Sequence, residues 1–429
     1  MVVTPVDTLP AVEKHLPLRK VLSVGAGNAL QFYDFMIFAF FAIPIARTFF
    51  PTSQSSSGLL FSLAVFGLGF FTRPIGAIVI GYYADRVGRR PALMVSFALM
   101  GISVVGLAIT PSYAQIGIFA PMLLLLFRLL QGFALGGEVG PSTAFLIEAA
   151  PPHRRALYAS IQQASQGVAI VTAGVVGFVL TSQLTAESLQ AWGWRVAFLL
   201  GAAIVPVGLY IRRELPETLE DSDSVTAFAT TPLESWSVAS LGLLILGSMS
   251  IATYTLGYLN TFAQETLSLE PQFALGSTLI NGLAFALAAP LSGMLCDRFG
   301  RKPVMLCAVA ALAVLVIPCF YILVEMRSVA SLYIVTGILS IGVQIAAVAV
   351  LTVVTETLPR SVRAIGLGTI YALAIAIFGG SAQFMVSLLL EATGSSLAPG
   401  FYMTGALVVG GLAMLVFRTA PPSKKVTGG

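Results

Sequence analysis

Gly81-Tyr82-Tyr83-Ala84-Asp85-Arg86-Val87-Gly88-Arg89-Arg90 returns in the second half of the chain as Gly293-Met294-Leu295-Cys296-Asp297-Arg298-Phe299-Gly300-Arg301-Lys302. Each copy fills a charged break between two long apolar runs, the second and third of its half. A second pair follows in the same order: Glu148-Ala149-Ala150-Pro151 with Arg155-Ala156, then Glu356-Thr357-Leu358-Pro359 with Arg363-Ala364. Each of these lies between the fourth and fifth runs of its half. Two motifs repeated at matching positions point to an internal duplication.

The 429 residues are 57% hydrophobic and 10% charged, against roughly 25% charged in a soluble domain, whose surface must be solvated by water. Apolar runs of about 20 residues, the length that crosses a bilayer core, recur along the whole chain. Backbone in lipid must satisfy its own hydrogen bonds, so such runs are helices. The alternating ten-residue segments of a β-barrel are absent. Twelve spans are predicted, at 21–46, 58–81, 91–110, 117–147, 156–182, 194–211, 237–262, 272–295, 303–324, 330–356, 363–390 and 398–418. The fold class is therefore an all-α membrane protein with two pseudo-symmetric six-helix bundles, 21–211 and 237–418. A cytoplasmic linker at 212–236, rich in acidic residues from Glu214 to Glu234, divides them, and tails are expected at 1–20 and 419–429.

An even number of spans puts both termini on one side. Of the 23 Lys and Arg residues, only Arg47, Arg195 and Arg327 fall at the opposite face, and Arg73 and Arg128 fall inside spans. The positive-inside rule then places both termini in the cytoplasm. The first twenty residues carry Pro5, Asp7, Pro10, Glu13 and Pro17 rather than the apolar core of a signal peptide, so the first span is expected to persist. Cys296, Cys307 and Cys319 form no C-x-x-C pair, which argues against a zinc site or a disulfide framework. The formal charge of +4 is explained by the cytoplasmic loops and calls for no nucleic acid.

The pattern G-x-x-x-D-R-x-G-R-[RK] after the second and eighth spans resembles the signature of the major facilitator superfamily. Gly25-x-Gly27-Asn28 with Phe35, Arg73-Pro74-x-Gly76, and Arg128-x-x-Gln131-Gly132 with Gly137-Glu138 resemble its metabolite:proton symporter branch. Ile45 to Pro51, Ala164-Ser165-Gln166 with Val168 to Val171, and Ala376 to Gly380 are similar to the citrate and tricarballylate symporters of that branch. The resemblance implies two bundles rocking about a midplane site, alternating access, and a bacterial cytoplasmic (inner) membrane. It also implies a chain that works as a monomer, without a cofactor, on a small anionic organic acid and H+. One departure stands out: the family usually has a glutamate in the first span where this chain has Gln31, which cannot release a proton.

Four ionisable side chains lie deep in the predicted spans: Asp34, Arg73, Arg128 and Glu138. A lipid-facing charge there costs about 2.5–3.5 kcal/mol, so they must face a wet cavity or one another. Arg73 sits about 13 Å from the cytoplasmic end of its span at the helical rise, too deep for an interfacial anchor. Arg128, Gln131, Leu135, Glu138 and Ser142 share one helix face. The two arginines can grip a carboxylate through paired hydrogen bonds, or serve as structural partners of Asp34 and Glu138. Those two carboxyls are candidate proton carriers, because burial favours the protonated form, or they neutralise the arginines. Asn28, Gln31, Gln131, Gln162, Gln166, Tyr254 and Gln344 complete the candidate substrate contacts, though each could equally join helices.

The repeated loop residues, Gly81, Asp85, Arg86, Gly88, Arg89 and Arg90 with Gly293, Asp297, Arg298, Gly300, Arg301 and Lys302, are candidates for a cytoplasmic latch that opens in one access state. Topology anchoring is the compatible plainer role. Other metabolites, such as a betaine-like zwitterion or a shikimate-like acid, remain open substrates. An exporter of apolar compounds fits less well, because the fifth span holds no proline. An intramembrane enzyme is disfavoured: no histidine, metal-ligand cluster or Ser/His pairing lies in the spans.

Overall fold

The computed structural model describes residues 18–50, 55–213 and 232–417, and among these no strand occurs. The twelve predicted spans all fall on helices. The first comprises Leu18–Phe40 and Ala42–Phe49, followed by Ser55–Arg86, Arg89–Ile109, Phe119–Glu148, Arg155–Gln183 and Trp194–Arg213. The second six are Pro232–Glu265, Pro271–Phe299, Arg301–Met326, Val329–Thr357, then Arg363–Ala374 with Gly380–Thr393, and Ala398–Val416. Among the described residues nine helices are long and apolar enough to cross a membrane, and the first span adds a tenth when its two bent pieces are joined. The expected tails, apart from the first turn at 18–20, and linker residues 214–231 lie outside the described residues.

Two spans are less regular than their hydropathy suggests. The first bends by 70° between Val24–Phe38 and Ile43–Phe49. Pro44 lacks the N–H that would bond the carbonyl of Phe40, so the ladder breaks there. The eleventh is interrupted by a π-helical turn at Ile375–Gly379, a wide turn that often accompanies a functional site. The seventh begins at Pro232, inside the segment expected as linker. Proline suits a first turn, where its missing N–H has no intrahelical partner to lose.

Side chains from Leu30 to Val205 form one apolar core, and those from Ile245 to Phe417 form a larger one that Ala156 also joins. Each half thus buries its own apolar faces, as duplication predicts. The halves meet chiefly where the fifth span packs on the eighth and the second on the eleventh. The paired glycines of the repeat make two matching close approaches. A Cβ on Gly81 would stand 2.7 Å from the Cα of Ile365, and one on Gly293 would stand 2.6 Å from the Cα of Leu157. Only glycine permits backbone contact of this kind.

Candidate functional site

The first, second and fourth spans converge on a narrow central cavity whose walls include Asp34, Phe35, Arg73, Arg128, Gln131 and Leu135. It has room for little more than a water molecule. Asp34 is 1% exposed, Arg128 3% and Arg73 4%, so three charges share a site from which bulk water is excluded.

Gln131 joins two of them. Its side-chain oxygen accepts from the Arg128 guanidinium one turn back on the same helix, and its amide nitrogen donates to the Asp34 carboxylate. The guanidinium carbon of Arg128 lies 3.5 Å from the centroid of the Phe38 ring. Arg73 is held between Phe35 and Phe70, at 4.8 Å and 4.3 Å from the ring centroids. Such faces attract a cation and keep it available at its edge. Gly136 carries no side chain where a Cβ would overlap the backbone of Arg73, which lets the second and fourth spans lie in direct contact. Pro74, the next residue, sits inside the second span and leaves the carbonyl of Phe70 without its helical donor.

The C-terminal half meets this site through two tyrosines. Arg73 lies beside Tyr254 of the seventh span, whose ring also meets Phe70 edge-on at 6.4 Å. Gln166 of the fifth span donates to the hydroxyl of Tyr371 on the eleventh at 3.5 Å. The cavity therefore lies against the seam between the bundles.

Other candidates from the sequence are placed elsewhere. Glu138 accepts from Ser96 of the third span at 2.6 Å, and Ser142 donates to Gln162 at 3.3 Å. The polar stripe of the fourth span thus serves the cavity over Arg128, Gln131 and Leu135, then meets other helices deeper in, because one face of a long helix has different neighbours at different depths. Asn28 donates to the carbonyl of Gln162 at 3.0 Å and to Ser165 at 2.6 Å, tying the first span to the fifth. Gln31 and Gln344 are fully buried and are not among the residues that line this cavity.

At the charged loop ends of the spans the repeat becomes a pair of mirrored contacts. Asp85 accepts from the backbone N–H groups of Ala364 and Ile365 at 3.1 and 2.8 Å. Asp297 accepts from those of Ala156 and Leu157 at 3.1 and 2.9 Å. Each carboxylate caps the first turn of a helix in the opposite half, where free N–H groups and the helix dipole favour an anion. Arg89 pairs with Asp85 and, at 3.2 Å, with Glu148, and donates at 2.8 Å to the carbonyl of Arg360 across the seam. Glu148 in turn reaches Arg363 at 3.1 Å. In the other half Arg301 holds Glu356 at 3.1 Å and Asp297 at 3.3 Å.

Arg86 lies over Tyr82 and Arg298 over Phe299, Arg90 is half-buried, and Lys302 donates to the carbonyls of Leu415 and Phe417, closing the ninth span on the twelfth. Gly88 and Gly300 take φ of 131° and 92° to turn the chain between helices. The sequence reading passed over Glu148, Glu356 and Arg363 as site residues, although their repeated motif was visible. Tyr371 is visible in the sequence as a polar residue within a span, while the pairing of Phe35 with Phe70 around Arg73 has no sequence signal.

The two networks differ in burial, which gives a first expected result. Arg89 and Glu148 side chains are 0% and 2% exposed, Arg301 and Glu356 24% and 20%. Losing a partner costs several kcal/mol in a buried pair and 0–1 in an exposed one. Glu148→Gln is therefore expected to speed hydrogen exchange of the 364–368 backbone by about tenfold or more, as a broken buried pair implies. Glu356→Gln should change exchange at 156–160 by about twofold, the scale of a solvated pair. Equal effects would mean that burial does not set the strength of the two contacts.

The profile of the Major Facilitator Superfamily matches residues 24–280 and 270–429. The chain is 37% identical over 399 residues to a citrate-proton symporter of Klebsiella pneumoniae, covering 92% of this chain and 90% of that one. It is 33% identical over 408 residues to the alpha-ketoglutarate permease of Escherichia coli strain K12, covering 93% of each. Among solved structures, the proton:xylose symporter XylE bound to 6-bromo-6-deoxy-D-glucose superposes with a TM-score of 0.72 at 20% identity, over 93% of this chain and 94% of that one. The human organic anion transporter MFSD10 gives 0.72 at 17%, over 93% and 100%. At these identities the structural likeness is one of fold.

Proposed function

The chain belongs to the major facilitator superfamily, and from that premise we propose that it is a proton-coupled symporter. It would import a small di- or tricarboxylate, such as citrate or tricarballylate, by alternating access, in a bacterial inner membrane with both termini in the cytoplasm. The observation that carries the reading is the pair of buried arginines, Arg73 and Arg128, on one cavity with the buried carboxyl of Asp34. The named activities of the relatives at 33–37% identity support the same class of substrate and the same driving ion.

The electrostatics give the coupling a physical basis. Two guanidinium groups and one carboxylate leave a single net positive charge in a site of low dielectric. A proton on Asp34 raises this to two, the charge that best accepts a dianion. Binding of the anion and of the proton then favour each other by the same factor, as linkage requires. A substrate carboxylate would take the edge of a guanidinium in place of Gln131 or Tyr254. The cytoplasmic contacts of Asp85, Asp297 and Glu148 would part once the loaded site is closed to the outside, and substrate and proton would leave inward.

The test is uptake of labelled citrate into vesicles containing the purified protein, with and without an imposed inward proton gradient. Gradient-stimulated uptake, competed by tricarballylate but not by betaine or shikimate, is the expected result. Competition by alpha-ketoglutarate alone would narrow the substrate to dicarboxylates. Uptake that ignores both the gradient and the membrane potential would sink the proton-coupled reading.

A further inference from the structure

Gln31 is 0% exposed, and neither its amide nitrogen nor its oxygen has a hydrogen-bond partner. An unsatisfied buried polar group costs about 1–3 kcal/mol, so an apolar residue of the same length would be the more stable choice at this position. Gln31 does not line the central cavity. Its place in the helix shows what else it could serve.

Asn28, Gln31 and Asp34 are spaced three apart on one face of the first span. At the Asp34 end this face joins the Gln131–Arg128 bridge. At the Asn28 end it joins the carbonyl of Gln162 and the hydroxyl of Ser165, while Ser142 donates to the side-chain oxygen of Gln162. Three more buried atoms in this stretch are without partners, the side-chain oxygen of Asn28, one carboxyl oxygen of Asp34 and the amide nitrogen of Gln162. Val24, Leu30, Phe32 and Ile37 on the same helix are buried apolar residues, so the polar atoms form a narrow thread through dry surroundings.

The thread has a direction. From Asp34 to Asn28 it runs about 9 Å toward the cytoplasmic end of the first span at the helical rise, and Gln162 stands about 10 Å from Arg155 at the cytoplasmic end of the fifth. Beyond it lie Arg89, Glu148 and Arg363, the charged groups that join the halves there. Of the other deep charges, Arg128 is joined to the Asp34 end through Gln131, and Glu138 accepts from Ser96.

We infer that Asn28, Gln31 and Gln162 form the route by which the proton on Asp34 leaves for the cytoplasm. The inference rests on the reading of Asp34 as proton carrier. When the halves part and water enters along the thread, the Asp34 carboxyl gives its proton to a water, leaving a carboxylate and a hydronium, and the proton hops along a file of waters that the amides orient. An amide suits this task because it donates at nitrogen and accepts at oxygen, and it holds no proton of its own to trap the charge. The cytoplasmic contacts stopper the thread until the halves part.

The experiment compares wild type, Gln31→Met, Gln31→Asn and Asp34→Asn in vesicles by two assays, proton-driven net uptake and substrate exchange at equal pH. Exchange needs no proton release and reports binding and rocking alone. For Gln31→Met the expected result is a drop in net uptake of about tenfold, equivalent to ~1.4 kcal/mol on a barrier, with exchange and substrate affinity unchanged. Its melting temperature should hold or rise, since two unsatisfied atoms leave the core. Gln31→Asn keeps an amide and should retain most of the uptake. A parallel loss of exchange and affinity would instead make Gln31 a substrate ligand, and a lowered melting temperature would make it structural. Unchanged net uptake would also overturn the route. Should Gln31→Met fail to fold, Gln162→Met decides by the same split. If wild-type uptake ignores the proton gradient, the coupling reading fails and the route with it. If wild type responds and Gln31→Met behaves identically, only the route fails.

Discussion

Asp34→Asn is expected to abolish proton-driven accumulation while substrate exchange across the membrane continues. Asparagine keeps the shape of the side chain and an oxygen that accepts from the Gln131 amide, but it neither gains nor loses a proton. The site then carries two guanidinium charges permanently, the balance that the proton creates in the native protein. Anion binding should persist, and accumulation beyond equilibrium should not. Stimulation of uptake by the gradient, about 5- to 150-fold on the scale of ordinary coupling free energies, should disappear. The measurement is the ratio of net uptake to exchange in reconstituted vesicles at a fixed gradient. Persistent accumulation would move the coupling to another carboxyl, and Glu138, buried against Ser96, would be the next to test.

Removing the charge of Arg128 should be as damaging to binding. Arg128→Gln deletes one of the two cations that face the cavity and leaves Asp34 buried without its nearest positive charge. Truncating one member of a buried, hydrogen-bonded charge pair costs about 2–5 kcal/mol, and with 1.4 kcal/mol per tenfold the affinity should fall by roughly thirtyfold to several-thousandfold. Titration calorimetry on the purified protein measures this directly, with the melting temperature as a control for folding. Arg73→Lys offers a graded comparison. It keeps the charge but loses the planar group held between Phe35 and Phe70, and lysine does not reproduce a stacked or forked arginine. Affinity within twofold of wild type in Arg128→Gln would remove Arg128 from the binding site.

Much of the architecture was legible because lipid imposes a simple rule. Long apolar runs must be helices, charged breaks must reach water, and the break motifs occur twice. Span boundaries at 91–110 and 330–356 therefore match the helices Arg89–Ile109 and Val329–Thr357 closely. The bend at Pro44 and the wide turn at Ile375–Gly379 were less visible, because hydropathy averages over local breaks in a hydrogen-bond ladder.

The site divides along a similar line. Asp34, Arg73 and Arg128 stood out from one sequence because charge is expensive in a membrane, and the cavity brings the three together. Their partners did not stand out. That Gln131 bridges Arg128 to Asp34, that Tyr254 crosses the seam to Arg73, and that Glu138 and Ser142 turn away from the cavity depend on how helices from two bundles are rotated against one another. Sequence alone determined the class of the protein, its twelve spans, its two related halves and the few charges worth watching, since the spans and charges follow from the cost of polar groups in lipid and the halves from loop motifs that occur twice. Only the tertiary structure decided which amides and rings meet those charges, because a polar side chain in an apolar helix has no intrinsic partner until packing supplies one.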